Sequence, residues 1–386
     1  MNNGRPLFVS LSSLTNQNYK SNPMDDIPLD SLLYSNFIRY DRMKELTLTQ
    51  YANSSAEELN IYIDMYSLIR PLYKRTILGD NTIFTSFVLN LAAHMRAYYM
   101  TRHSVTTNIY IVFTSNMSIL TQEVSMVPEW NITDQGKLIP DINRDNLINW
   151  NVELLKLLVP CFPRIYFITG TVEPAVMIQN LINRNNNGCP NLILTKDKMS
   201  WQIPAYDSNS CVFRPRKAQN EDTSFCVNHL NVFDEWRHSV NKTSPPPEII
   251  LPPEMLSLYI AYTSFKQRGL SAYYSPSEAI RRIWNLVNNK KIALGYNSPE
   301  AISKVLNKEQ KVKEYTQDFE RFSNNLYYRY NMVDLVRLTN IYSTMPEAND
   351  NSWFFSRIDD VTIKEINDKY FIKNPINIIA LCKHPR

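Results

Sequence analysis

Hydrophobic positions along the chain fall into two regimes. From residue 59 to about 195, short apolar runs alternate with helical patterns. Residues 59-LNIYIDMYSLI-69 read as a strand that ends near Asp64 and turns into a helix. In 82-TIFTSFVLNLAAHMRAYYM-100, Ile83, Phe84, Phe87, Val88, Leu91, Met95 and Tyr98 recur at three- and four-residue spacing, which predicts an amphipathic helix. It leads into a second strand, 108-NIYIVFTSN-116. Residues 120–145 read as a loop. A helix follows over 146–162, closed by Pro160, and then a third strand, 164-RIYFITG-170. Glu173 opens the helix 173–188, where Pro174 suits a first turn and Gly188 a stop. The fourth strand is 191-NLILT-195.

Strands that alternate with helices predict an α/β fold, a parallel sheet with helices on both faces. Ligands of such sheets sit beyond the carboxyl ends of the strands. Asp64, Thr114, Glu173 and Asp197 all fall there.

The second regime is helical. Residues 204–243 are mixed, with short strand patterns at 211–215 and 224–233. The prolines of 244-SPPPEIILPPE-254 then mark a stiff connector. Helical patterns follow at 254–266, 276–289, 298–307 and in a long 309–342 segment. Ser275-Pro276 and Ser298-Pro299 each begin a matched helix start, with serine as cap, proline in the first turn and an acid after it. The tail 376-INIIALC-382 is apolar enough to dock on the body. The expected division is therefore an extension over 1–59, a core over 60–243, a connector over 244–253 and a helical module over 254–386.

Composition narrows the class. Of the 386 residues, 44% are hydrophobic and 20% charged, which suits a folded protein. Glycine is scarce at 7 residues, and there is no G-x-S-x-G and no phosphate-cradling G-x-x-x-x-G-K. Asparagine runs such as 183-NRNNNG-188 fit codon pressure from an AT-rich genome, as in large phages or other viruses. A net charge of +4 permits a local nucleic-acid patch without demanding one. Five cysteines form no CxxC pair, so a reducing, cytoplasmic setting (host cell or virion) is expected, with buried thiols. Cys211, Cys226, His229 and His238 match no standard zinc spacing. No run of 18 apolar residues occurs, so no membrane span is expected.

The order of these parts resembles the flap endonuclease and 5′→3′ exonuclease family, whose fold is PIN-like. There the first strand ends in an aspartate, a Glu-Ala-Asp-Asp run opens a later helix, and the next strand ends in a small-Gly-Asp-Lys-Asp motif with Gln soon after. This chain offers Asp64, 173-EPAV-176 and 195-TKDKMSWQ-202 at the matching places. The resemblance covers about residues 59–205, and more loosely 254–307, where the family binds the DNA backbone. It implies two divalent metals about 4 Å apart, held by many carboxylates.

Asp64, Glu173 and Asp197 keep that role by position, as metal ligands and catalytic groups. Pro174-Ala175-Val176 and Met199 stand where further acids belong, and 112-VFTSN-116 carries none. Three acids suffice for one magnesium ion, not for a two-metal centre. The glycine-rich hairpin of the DNA-binding region is reduced to Gly269. Arg70, Lys74, Arg75, Lys196 and Lys198 are the candidate phosphate contacts, and Trp201, Tyr273 and Tyr274 the candidate base-stacking rings.

Each site residue has a plain alternative. Asp64 could cap the next helix, Asp197 could sit in a solvated turn, and Glu173 suits any helix start. Three functions stay open. The chain is a degenerate 5′-nuclease relative that binds nucleic acid, DNA above all, or a phage or viral assembly. Or it is an active magnesium-dependent nuclease with a reduced carboxylate set. Or it is a purely structural viral interaction protein. The missing acids favour the first.

Overall fold

The computed structural model describes residues 57–69, 72, 81–114, 142–170, 172–185, 188–213, 226–240, 249, 251–265, 270–293, 299–310, 324–341, 368 and 376–382. The expected α/β architecture is present, a parallel sheet flanked by helices. Its strands are β1 (Glu58–Asp64), β2 (Thr106–Thr114), β3 (Ile165–Gly170), β4 (Asn191–Leu194), β5 (Ser210–Phe213) and β6 (Cys226–Val227), in the order β3-β2-β1-β4-β5-β6. The first five run parallel and β6 is antiparallel at one edge.

Strand alternation divides β1 between two cores. Leu59, Ile61 and Ile63 join one cluster, on the side of helices α1 (Met65–Ile69), α2 (Ile83–His103) and α3 (Ile142–Leu158). Tyr62 joins the other, together with α4 (Pro174–Asn185), the short α5 (Ile203–Tyr206) and α6 (Val232–Val240). That second cluster continues without a break into the C-terminal helices: α7 (Leu256–Tyr262), α8 (Pro276–Asn288), α9 (Pro299–Glu309), α10 (Leu326–Val333) and α11 (Leu335–Ile341). Asp64, two residues beyond Tyr62, therefore points its side chain to the same face as these helices.

Several expectations shift. Helix α2 is buried nearly all round and is not the amphipathic helix expected, because α3 and the tail cover its outer side. Arg96 on it is 2% exposed; it donates to Thr107 Oγ1 at 3.2 Å and to the carbonyl oxygens of Thr107, Arg164 and Leu381. That last bond docks the tail helix α12 (Ile378–Leu381), as its apolar sequence predicts. The strand expected over 224–233 shrinks to β6, since Asn228 accepts from the backbone N–H of Leu230 and Asn231 and forces a turn. The long helix expected over 309–342 is, in its described part, two helices broken at Asp334, which adopts an extended backbone. Residues 1–56, Gly269 and Ser298 lie outside the described residues, and with them the wrapping extension and the second serine cap. The first cap is present: Ser275 Oγ accepts from Glu278 N. Among the described residues no helix is long and apolar enough to cross a membrane.

One buried cation closes α7. The last carbonyls of a helix have no partner inside it. Arg329 is 0% exposed and donates to Ala261 O at 2.6 Å, to Ser271 O at 2.7 Å and to Thr263 O, with Tyr273 stacked 5.7 Å away. Replacing it leaves the carbonyls of Ala261 and Thr263 unanswered in the core. Arg329→Met should cost more than about 3 kcal/mol in urea unfolding. Arg329→Lys should recover only a part, because an ammonium lacks the planar fork that reaches them together. Equal stability of wild type and Arg329→Met would show that this bond set is not what holds α7.

Candidate functional site

The carboxyl ends of β1 and β4 lie side by side, and the site is built there. Asp64 ends β1 and is 0% exposed. Its Oδ1 accepts from Ser67 N at 3.1 Å, a cap on α1, and its Oδ2 accepts from Thr195 Oγ1 at 2.6 Å. Thr195 Oγ1 in turn accepts from Asp197 N at 2.9 Å, and Ser67 Oγ accepts from Lys196 N at 2.9 Å. The two hydroxyls stand 3.2 Å apart. Two polar residues one helical turn or one strand away thus hold the whole entrance to the Lys-Asp-Lys segment.

Burial pushes the Asp64 carboxyl up to about 6; the Thr195 and Ser67 hydrogen bonds resist that rise, and the charge of Asp197 adds to it. Asp64 and Asp197 are therefore brought within electrostatic reach of each other. Asp197 serves its own turn as a cap: Oδ1 accepts from Met199 N at 3.0 Å at the head of a 3-10 helix, Lys198–Gln202. Glu173 is buried at the start of α4, with its carbonyl accepting from Met177 N at 3.0 Å. Among the described residues, no group of three or more His, Cys, Asp or Glu side chains is arranged to hold a metal ion. Both Asp64 oxygens hold internal donors, and Glu173 does not complete a ligand set with the two aspartates. The donor set does not fit a nuclease metal centre.

The positions where the family would add acids are core. Met199 is 0% exposed, and Ala175 and Val176 pack in the same cluster. Gln202, also 0% exposed, donates to Val333 O at 2.7 Å and accepts from Ser257 Oγ at 2.7 Å. It ties the loop to α7 and to the end of α10.

The basic candidates divide. Lys196 is half-buried, and desolvation lowers its pKa. Lys198 lies over two indoles, 5.6 Å from the Trp201 ring and 5.9 Å from that of Trp236. Arg70, Lys74 and Arg75 lie outside the described residues. The base-stacking expectation is corrected: Trp201, Tyr273 and Tyr274 are 3%, 7% and 3% exposed and are core rings. Arg282 in the presumed backbone-binding helix is spent internally, bridging Glu278 and Glu309 and stacking on Tyr274. Cys211, expected as a buried thiol, is disulfide-bonded, so it offers no thiolate to a zinc. His229 contacts Pro204 O instead.

Sequence reasoning missed Ser67, Thr195 and Trp236. Asp64 reads as a cap from the sequence, but the serine hydroxyl that meets Lys196 N has no local signal. Trp236 had none, because it meets Lys198 only through the fold.

No family model matches the chain, and no curated protein does. Similar solved structures are nucleases of the kind the sequence resembles. The 5′-exonuclease of bacteriophage T5, with zinc bound, is 10% identical and covers 81% of this chain and 98% of its own, at a TM-score of 0.44. Human GEN1 in complex with Holliday junction DNA is 8% identical, covering 83% of this chain and 71% of that one, at 0.46. The catalytic core of Rad2 in complex with DNA substrate is 12% identical, covering 84% and 82%, at 0.35.

The buried carboxyl sets a pH dependence. Its folded value, about 6, stands above the ordinary 3.8, so the folded chain holds the proton more tightly than the unfolded one. The stability this contributes is fully present below about pH 4 and is lost as pH rises through about 6. The shift corresponds to about 3 kcal/mol. Urea unfolding of wild type and Asp64→Asn from about pH 4 to 7 should show wild type losing that much relative to the variant. A constant difference would mean that Asp64 titrates in the ordinary carboxylate range.

Proposed function

We propose that the chain is a catalytically retired 5′-nuclease relative that uses the frame to bind nucleic acid at the carboxyl ends of its strands. The observation that carries the first half is the state of Asp64. A metal-dependent phosphodiesterase needs that carboxylate facing an ion, with other acids converging on it. Here it is withdrawn from water and committed to Ser67 and Thr195.

Support for binding comes from charge placement. Parallel α/β sheets take ligands at this end, and Lys196 and Lys198 follow β4 while Arg70, Lys74 and Arg75 follow β1 in sequence. Lys198 on its two indoles is a cation with its stem already ordered, which lowers the entropy lost on meeting a phosphate. The active-nuclease reading draws on one fact, that Asp64 and Asp197 feel each other's charge. It would need Glu173 to join them.

The test is a labelled 5′-flap DNA with Mg²⁺ or Mn²⁺, using wild type, Asp197→Ala and Lys198→Ala, with binding and cutting read from the same samples. Binding should weaken steeply with salt, and Lys198→Ala should weaken it several-fold and reduce the slope by about one counterion. No cutting is expected. Metal-dependent cutting that Asp197→Ala abolishes would return the chain to the active nucleases. Absence of binding at low salt would leave the frame as a protein-interaction module, of a viral assembly or otherwise.

A further inference from the structure

One cavity lies at the other end of the sheet from Asp64 and Asp197. It has a volume of about 390 Å³ and lies between α4 and α11, over the start of β4 and the turn that precedes β5. That volume is in the range of small-molecule sites, roughly 300–1,000 Å³. Among the described residues, no lysine or arginine lines it. Its one carboxylate, Asp207, is already occupied: it accepts from Asn191 Nδ2, from Asn209 N and from Ser210 Oγ. The site is therefore poor for an anion and holds no uncommitted acid for a cation.

What it does offer is carboxamide edges between aliphatic walls. Ile182 of α4 and Val336 of α11 are the apolar sides. Gln179 and Asn183 form one polar edge, with Gln179 Nε2 donating to Asn183 Oδ1 at 2.9 Å. Gln179 is 7% exposed, and its Oε1 is buried with no hydrogen-bond partner. A buried acceptor left unanswered costs about 1–3 kcal/mol, and a turn of the Gln179 carboxamide toward the cavity it lines would let a bound donor remove that cost. A flat, uncharged molecule with ring N–H and carbonyl groups answers both features. Its faces lie against aliphatic side chains and its edge pairs with amides that can each donate and accept.

We propose that this cavity binds a free nucleobase or nucleoside, at a site separate from the strand ends where nucleic acid would lie. The inference does not depend on the nucleic-acid reading.

The test is titration of the full-length chain with adenosine, guanosine, cytidine and uridine by calorimetry, beside Gln179→Leu, Asn183→Leu and the matching 5′-monophosphates. Unfolding curves check that each variant is folded. At least one nucleoside should bind, more tightly than its monophosphate, since nothing in the cavity answers a phosphate. Gln179→Leu should weaken binding by about tenfold or more, while folding at least as stably as wild type, because it removes the unanswered acceptor. Asn183→Leu, on the exposed side of the same edge, should weaken binding too. The proposal fails if no nucleoside binds, if the monophosphate binds better, or if both folded variants bind as wild type does.

Discussion

A carboxylate taken wholly out of water has to be answered by donors, and the layout of the site follows from how Asp64 is answered. Ser67 N comes from the first turn of the helix that β1 runs into; Thr195 Oγ1 comes from the neighbouring strand. Meeting both fixes where β1 ends, where α1 begins and where β4 lets go of the sheet. Because Thr195 gives its one proton to Asp64, its oxygen is free to accept from Asp197 N, and the Lys-Asp-Lys turn starts from there. Asp197 then caps the 3-10 helix, which brings Gln202 to Val333 and Ser257. A chain of local capping bonds thus runs from the centre of the sheet to the C-terminal helices.

The other end of the strands is fastened differently. Arg164 pairs with Glu58 at 2.8 Å, Glu58 accepts from Asn108, Asn108 donates to Asn60, Asn60 to Asn191, and Asn191 to Asp207. This polar row crosses the starts of the first four strands and reaches the turn into β5, on the face that also carries the stacked rings of Tyr62, Tyr110 and Tyr166. A one-residue slip of any strand would turn its asparagine to the apolar face and leave neighbours unpaired. Register in a parallel sheet of short strands is therefore specified by amides at one end and by Asp64 and Thr195 at the other, with aliphatic side chains between.

Much of this was legible, for a physical reason. Four of the strands and the helices between them are long enough for periodicity to speak, and Asp64 and Asp197 could be placed because apolar runs stop at them. What misled was charge and aromatic content read without burial. Trp201, Tyr273 and Tyr274 look like ligand contacts in one dimension, yet each packs against partners brought up by the fold and becomes core. Arg329 and Arg96 were invisible for the same reason. A fully buried arginine is justified by carbonyls that only the folded chain gathers. In its described part the 309–342 segment failed as one helix because Asn325 caps a new start and Asp334 breaks the backbone again, across a pattern that periodicity carries straight through.

The apolar residues of α4 and of the 3-10 turn and the burial of Asp64 are two sides of one packing solution. Where the family pattern has acids, this chain has Pro174-Ala175-Val176 and Met199, and the structure packs Ala175, Val176 and Met199 against the sheet with almost no exposure. With apolar groups there, α4 and the 3-10 turn pack on the sheet, and Asp64 beneath them is shut off from water, which raises the cost of its charge. Thr195 and Ser67 are then required to keep it buried. The register and layers rest on these packing contacts, and Asp64 and Asp197 serve them as caps.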